Sequence, residues 1–147
     1  MKKINRFLFV FLLFGTCASC AENNKQEELI TKELAVIHET KYNSSYAGIT
    51  NEEFLSYGFE YGDSCNVRFS NGVEFTDIPF YDGYYTRSGS VLICAYQGYP
   101  NLQITINNSS TFWDDMKLSE NDKVIIERNE KGTSPYESNK NNYVSLN

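Results

Sequence analysis

Ser64-Cys-Asn-Val-Arg-Phe69, then Ser70, then Asn71-Gly72, then Val73-Glu-Phe-Thr76 is the stretch that decides the fold. Polar and apolar residues alternate, so Cys65, Val67 and Phe69 share one face while Ser64, Asn66 and Arg68 share the other. Asn-Gly is the dipeptide best suited to a type I′ turn, in which both central residues need positive φ. Residues 64–76 therefore read as a β-hairpin.

The same grammar recurs outward from the hairpin. Val91-Leu-Ile-Cys-Ala-Tyr96 and Leu102-Gln-Ile-Thr-Ile106 read as strands, separated by a turn that Gly98 and Pro100 enforce, and Lys123-Val-Ile-Ile-Glu-Arg128 reads as a last strand. Helical signals are few. Thr50 as N-cap with Glu53 three residues on forms a capping box that opens a short helix ending at Gly58. Residues 110–116 read as a second short helix whose Phe112 and Trp113 could plug one end of a core. Residues 28–40 fit either a helix or a buried strand; a helical start followed by a strand is the reading adopted. Six or seven short strands with one or two short helices predict a mainly β protein, a small β-barrel or sandwich, with the barrel favoured.

The 147 residues, 41% hydrophobic, 22% charged and 15% aromatic, suit one globular domain and exclude a disordered or fibrous chain. Net charge is −6, yet three of the 13 basic residues, Lys2, Lys3 and Arg6, precede all 19 acidic ones, so the chain from Cys20 onward carries about −9. A nucleic acid is not expected as a partner.

Residues 7–14 are an unbroken apolar run behind a basic start, too short to span a bilayer, which needs ~20 residues. They read as the core of a secretory signal over residues 1–19. Ala18-Ser19-Cys20 resembles a lipobox, which would make Cys20 the lipid attachment site and the membrane a partner through that lipid; Cys17 stands where an aliphatic residue is usual. The alternative is a plain signal peptide cut nearby. Residues 20–27 read as a tether, 28–131 as the barrel domain and 132–147 as a flexible tail.

After processing, Cys65 and Cys94 are the thiols of the body, either one disulfide or two buried small residues. His38 is the single histidine and reads as a packing or surface residue. No metal-ligand spacing, phosphate loop or catalytic constellation is evident, so no cofactor and no catalysis are expected. Tyrosine is the compositional oddity. The loops around Tyr81-Asp-Gly-Tyr-Tyr85 and Tyr96 to Tyr99 contain glycine beside their rings, a pattern suited to stacking on a ligand, although tyrosine is also a common strand residue.

Several stretches taken in order resemble the C-terminal domain of the S-adenosylmethionine hydroxide adenosyltransferase family, which includes the S-adenosylmethionine-dependent fluorinases and chlorinases. They are Gly58-Phe-Glu-Tyr-Gly-Asp63, Asp77-Ile-Pro-Phe-Tyr-Asp-Gly-Tyr-Tyr85, Gly89, Tyr96-Gln-Gly-Tyr-Pro100, Ile104-Thr-Ile-Asn107 and Leu118-Ser-Glu-Asn-Asp122, within residues 32–128. The resemblance implies a small β-barrel. It does not imply the activity, because in complete members an N-terminal α/β domain supplies the catalytic carboxylate and this chain shows no counterpart. The adenosyl-facing motifs also differ: Tyr42-Asn43-Ser44 stands for Phe-Gly-Asn, Ala47-Gly48-Ile49 for Thr-Asn-Ile, and Ala95-Tyr96-Gln97-Gly98 for Asn-Ser-basic-Gly. Each lost hydrogen-bonding group would cost on the order of 1 to 3 kcal/mol of ligand binding. The expectation is a non-catalytic binding module for an unknown protein or small molecule. Its alternative is an accessory protein that recognises an adenosyl or other aromatic compound. The candidate ligand-binding residues are Tyr42, Ser44, Tyr84, Tyr85 and Tyr96.

Overall fold

The computed structural model describes residues 32–146. The leader, Cys20 and the tether lie outside them. Seven strands, β1 (Leu34–Glu39), β2 (Ser44–Thr50), β3 (Ser64–Phe69), β4 (Glu74–Tyr81), β5 (Val91–Cys94), β6 (Asn101–Ile106) and β7 (Lys123–Glu130), close into a barrel in the order β1-β2-β6-β5-β4-β3-β7. The fold is the small, mainly β barrel that the strand pattern predicts. No helix among the described residues is long and apolar enough to cross a membrane.

The interior is filled with side chains. Val36, Ala47, Val67, Phe80, Ile93 and Ile104 are among its fully buried members, as expected for a barrel of this strand number. Each end is stoppered by a short helix. At one end α1 (Asn51–Ser56) drives Phe54 against Phe59, with ring centroids 4.0 Å apart, and edge-on to Phe80 at 5.0 Å. Its N-cap is Thr50, whose hydroxyl accepts from Glu53 N at 3.0 Å. At the other end α2 (Phe112–Asp115) buries Phe112 beside Phe69 and Phe75.

The hairpin forms, but through a different turn. Gly72 alone has positive φ, at 93°, while Gly72 N donates to Phe69 O at 3.0 Å and Phe69 N to Val73 O at 2.8 Å. That is a three-residue loop, a type I turn completed by a left-handed glycine. Asn71 avoids positive φ because its side chain is engaged elsewhere, donating to Met116 O and accepting from Val73 N. Strand β4 then runs on to Tyr81, past Asp77 and Pro79: a bulge absorbs Asp77, and Pro79 stays in register opposite Ser64. Asp77 takes φ 56° and accepts from the Asn129 side chain, and its own amide donates to Asn66 Oδ1 at 3.2 Å. Residues 34–39 are strand; of the ambiguous segment, 28–31 lie outside the described residues.

The C-terminal stretch departs from its sequence reading, and the thiols follow one of their two readings. Residues 132–147 read as a frayed tail, yet α3 (Tyr136–Leu146) forms, with Tyr136 packed on Tyr61, Tyr81 and Tyr85 and its hydroxyl donating to Asp82 Oδ1 at 2.9 Å. One aromatic anchor and one carboxylate hold what composition alone would leave loose. Cys65 and Cys94 are both free and buried. They occupy β3 and β5, on either side of β4, opposite Ile78 and Tyr81, so their backbones are two strand spacings (about 9.5 Å) apart across the sheet and three residue rises (about 10 Å) apart along it, beyond the ~7 Å limit for a bridge. Cys65 also belongs to the barrel interior, whereas Cys94 does not.

Candidate functional site

Strand β6 positions the site. Four consecutive residues, Leu102 to Thr105, are buried, so both faces of this strand are covered. Leu102 and Ile104 enter the barrel interior, whereas Gln103 and Thr105 point outward beneath another layer. That layer is the connection between β4 and β5. These strands pair in parallel, Phe80 with Ile93 and Tyr81 with Cys94, so residues 82–90 must double back by three residue rises, ~10 Å, along the barrel wall. Asn107 holds the connection down, its amide donating to Tyr84 O at 3.1 Å and Thr86 O at 2.6 Å.

Between this connection, the end of β6 and the turn after β5 lies a pocket of about 760 Å³. Tyr42, Tyr84, Tyr96 and Tyr99 supply its rings, and Gln103, Thr105 and Asn107 line it too. Ring centroids are 5.3 Å apart for Tyr84 and Tyr96 and 5.8 Å for Tyr96 and Tyr99; the string continues to Tyr46 at 6.2 Å. Tyr42 and Tyr96 are the exposed members, at 43% and 40%.

A chain of hydrogen bonds ties the pocket to the barrel. The Tyr84 hydroxyl donates to Gln103 Oε1 at 2.5 Å, Gln103 Nε2 donates to Ser44 Oγ at 2.7 Å, and Ser44 Oγ donates to Glu39 Oε2 at 3.2 Å. The buried Glu39 carboxylate also accepts from Lys41 N at 3.0 Å and Tyr42 N at 2.8 Å. One carboxylate thus fixes the β1–β2 turn, which carries Tyr42, and through Ser44 and Gln103 the ring of Tyr84. A buried carboxylate satisfied by three donors is stable in this setting.

The phenols differ in their electrostatics. Burial raises the pKa of Tyr84, and it pushes that of Tyr46 up to about 12, so both remain neutral donors. Tyr42 is lowered, chiefly by a hydrogen bond with Lys41 and then by one with Tyr99; the same contact raises Lys41, whose ammonium lies 4.8 Å from the Tyr42 ring centre. Thr86, on the pocket wall, has a buried hydroxyl without a hydrogen-bond partner.

Of the residues singled out in the sequence, Tyr42, Tyr84 and Tyr96 come together here. Ser44 lies under the floor rather than on it, a supporting residue. Tyr85 points away. Its ring fills the space where a Cβ on Gly83 would sit, 2.5 Å from the ring atom Cζ, and packs against Tyr81 and Tyr136. Adjacent residues on an extended chain face opposite ways, so Tyr84 and Tyr85 could not both enter. Gln103 and Asn107 were not anticipated; the signal was a lone amide inside the apolar run of β6. His38 stacks on Trp113, centroids 4.2 Å apart, and its Nε2 shares a hydrogen bond with Asn43 Oδ1 at 2.8 Å, a packing role. Both thiols are pushed up to about 12 by burial and so stay protonated. Among the described residues no three His, Cys, Asp or Glu side chains converge on a metal-sized site.

No protein-family model matches the chain, and no curated protein matches it. Among solved structures, an uncharacterised conserved protein from Thermotoga maritima superimposes with a TM-score of 0.55 at 18% identity, over 64% of this chain and 35% of that one. The chain thus spans about a third of that protein's length, and at this identity the likeness is one of fold.

Proposed function

We propose that this protein is an exported, lipid-anchored binding module, akin to the C-terminal domain of the S-adenosylmethionine hydroxide adenosyltransferases, that holds a small molecule in the tyrosine pocket without transforming it. The observation that carries the reading is the chain from Tyr84 through Gln103 and Ser44 to Glu39, which locks a ring at the pocket wall before any ligand arrives. Preorganisation of this kind lowers the entropic cost of binding. The absence of carboxylate, imidazole or thiol among the pocket's lining residues supports holding over bond-breaking.

The test is thermal-shift titration of the full chain, in detergent, with nucleosides, S-adenosylmethionine and glycans. Protection that vanishes in Tyr96→Ala supports the reading. A flat response across the panel overturns it and favours the second reading, a protein partner on the exposed Ile37, Tyr42 and Tyr96 side chains. Hydrolysis of S-adenosylmethionine by the purified chain would overturn the non-catalytic part. Export with lipidation predicts that Cys20→Ala abolishes incorporation of labelled palmitate.

A further inference from the structure

From the chemistry of the pocket wall we infer that the ligand is an uncharged glycan, a chain of pyranose rings laid along the tyrosine string; this rests on the binding reading above and narrows it. Thirteen side chains line the pocket and none of them is charged. At 22% charged residues overall, thirteen drawn at random would hold about three. Charged side chains around the pocket are engaged within the protein: Lys41 is held against the Tyr42 ring, Glu39 beneath the floor accepts from three donors, and Asp114 and Asp115, next to Ser110 and Ser109, accept from Asn43 and Thr111.

What the wall offers is hydroxyls and carboxamides. Gln103, Asn107 and Asn108 present amides, while Thr86, Ser88 and Thr105 present hydroxyls. Gln103 is already engaged by Tyr84 and Ser44, and the Asn107 amide nitrogen by the β4–β5 connection, which leaves the Asn107 and Asn108 carbonyl oxygens and the Thr86 and Ser88 hydroxyls to face a ligand. Neutral groups of this kind match sugar hydroxyls, whereas a zwitterionic or phosphorylated ligand requires fixed opposite charge. The buried, unpartnered hydroxyl of Thr86 is available for one such bond.

The rings argue for length. A flat base is held by one ring or by two parallel ones; here Tyr84, Tyr96 and Tyr99 follow one another at 5.3 and 5.8 Å with planes tilted by 37° and 51°. Successive tilted facets at that spacing suit a chain of saturated rings that present C–H faces in turn, not a single planar heterocycle. Tyr84 stays neutral because burial raises its pKa, so the string carries no charge where it is deepest.

The test is calorimetric titration of the full chain in a polyoxyethylene detergent, which carries no sugar headgroup. The probes are cellohexaose, maltohexaose, xylohexaose, mannohexaose and chitohexaose, with oligogalacturonate, adenosine and S-adenosylmethionine as charged or planar counterparts. At least one uncharged hexasaccharide binds, more tightly than its disaccharide. Its affinity changes less than about twofold between about 0.05 and 0.5 M salt, because there is no ion pair to screen. Tyr96→Ala and Tyr42→Ala, both at exposed positions and checked for folding by circular dichroism, each weaken it roughly tenfold, the equivalent of about 1.4 kcal/mol. If adenosine or S-adenosylmethionine binds in a Tyr96-dependent way and no hexasaccharide does, the pocket is a ligand site and the glycan assignment is overturned. If nothing binds, both readings fall.

Discussion

Replacing Gln103 with Leu keeps the volume of a side chain that is only 3% exposed while removing its two hydrogen bonds, to Ser44 Oγ at 2.7 Å and from the Tyr84 hydroxyl at 2.5 Å. Each is worth about 1 kcal/mol net. The penalty for stranded partners is small, because Ser44 keeps its bond to Glu39 and the half-buried Tyr84 hydroxyl can turn to water in the pocket. The expected loss is therefore about 2 kcal/mol, or about 6–10 °C in Tm at the roughly 3–5 °C per kcal/mol of a folded unit this size. The assay is urea unfolding followed by the fluorescence of Trp113, the single tryptophan and buried. A double-mutant cycle with Tyr84→Phe isolates one bond and should return a coupling of about 1 kcal/mol. A loss below about 0.5 kcal/mol, or additivity of the two substitutions, would refute the claim that this amide anchors the pocket.

Arg128→Met should be more damaging, about 3 kcal/mol by the same unfolding assay. Its guanidinium donates at 2.8 Å to Asp63, whose side chain is fully buried and would be left with only the amides of Glu60 and Gly132. Asp122 is held below the ordinary carboxylate range chiefly by the Ser70 hydroxyl, with the Ser119 amide and hydroxyl adding to it. A depressed native pKa stabilises above the unfolded value near 4 and is lost as pH falls through the folded one, so Asp122→Asn should cost about 1 kcal/mol at pH 6 and progressively less below pH ~4. Cys65 and Cys94 should resist iodoacetamide at pH 8 in the native state and both react in guanidinium, read by intact mass; a mass insensitive to alkylation after unfolding without reductant would mean a disulfide.

The barrel was legible wherever the pattern was strictly local. Alternation around Cys65, Val67 and Phe69, the β-rich runs of β5 and β6, and the Thr50 cap are statements about neighbours a few residues apart, and each has its counterpart in the structure. What escaped was long-range. The hairpin reading stops at Thr76, whereas the strand continues past Asp77 through a bulge that Asn66 on β3 and Asn129 on β7 hold in place. Tyr136 looks like part of a loose end until Asp82, more than fifty residues away, is found to accept its hydroxyl. At the pocket the rings of Tyr42, Tyr84 and Tyr96 stood out as an excess of tyrosine. Gln103 could be recognised only once the β4–β5 connection was known to lie over its strand, and Tyr85 could be excluded only once the direction of that connection was known.

The parallel seam between β4 and β5 has a consequence for how occupancy would be felt. Every other neighbouring pair around the barrel is antiparallel, and this one is joined by the stretch that also forms a wall of the pocket. A molecule gripping Thr86 and Ser88 on one side and Tyr96 or Asn107 on the other would fasten the two parallel strands together as a clasp joins the ends of a hoop. Opening the hoop then requires the guest to leave, so binding should slow amide exchange throughout the sheet, by a factor of up to 1 + [L]/Kd, rather than at the contact residues alone.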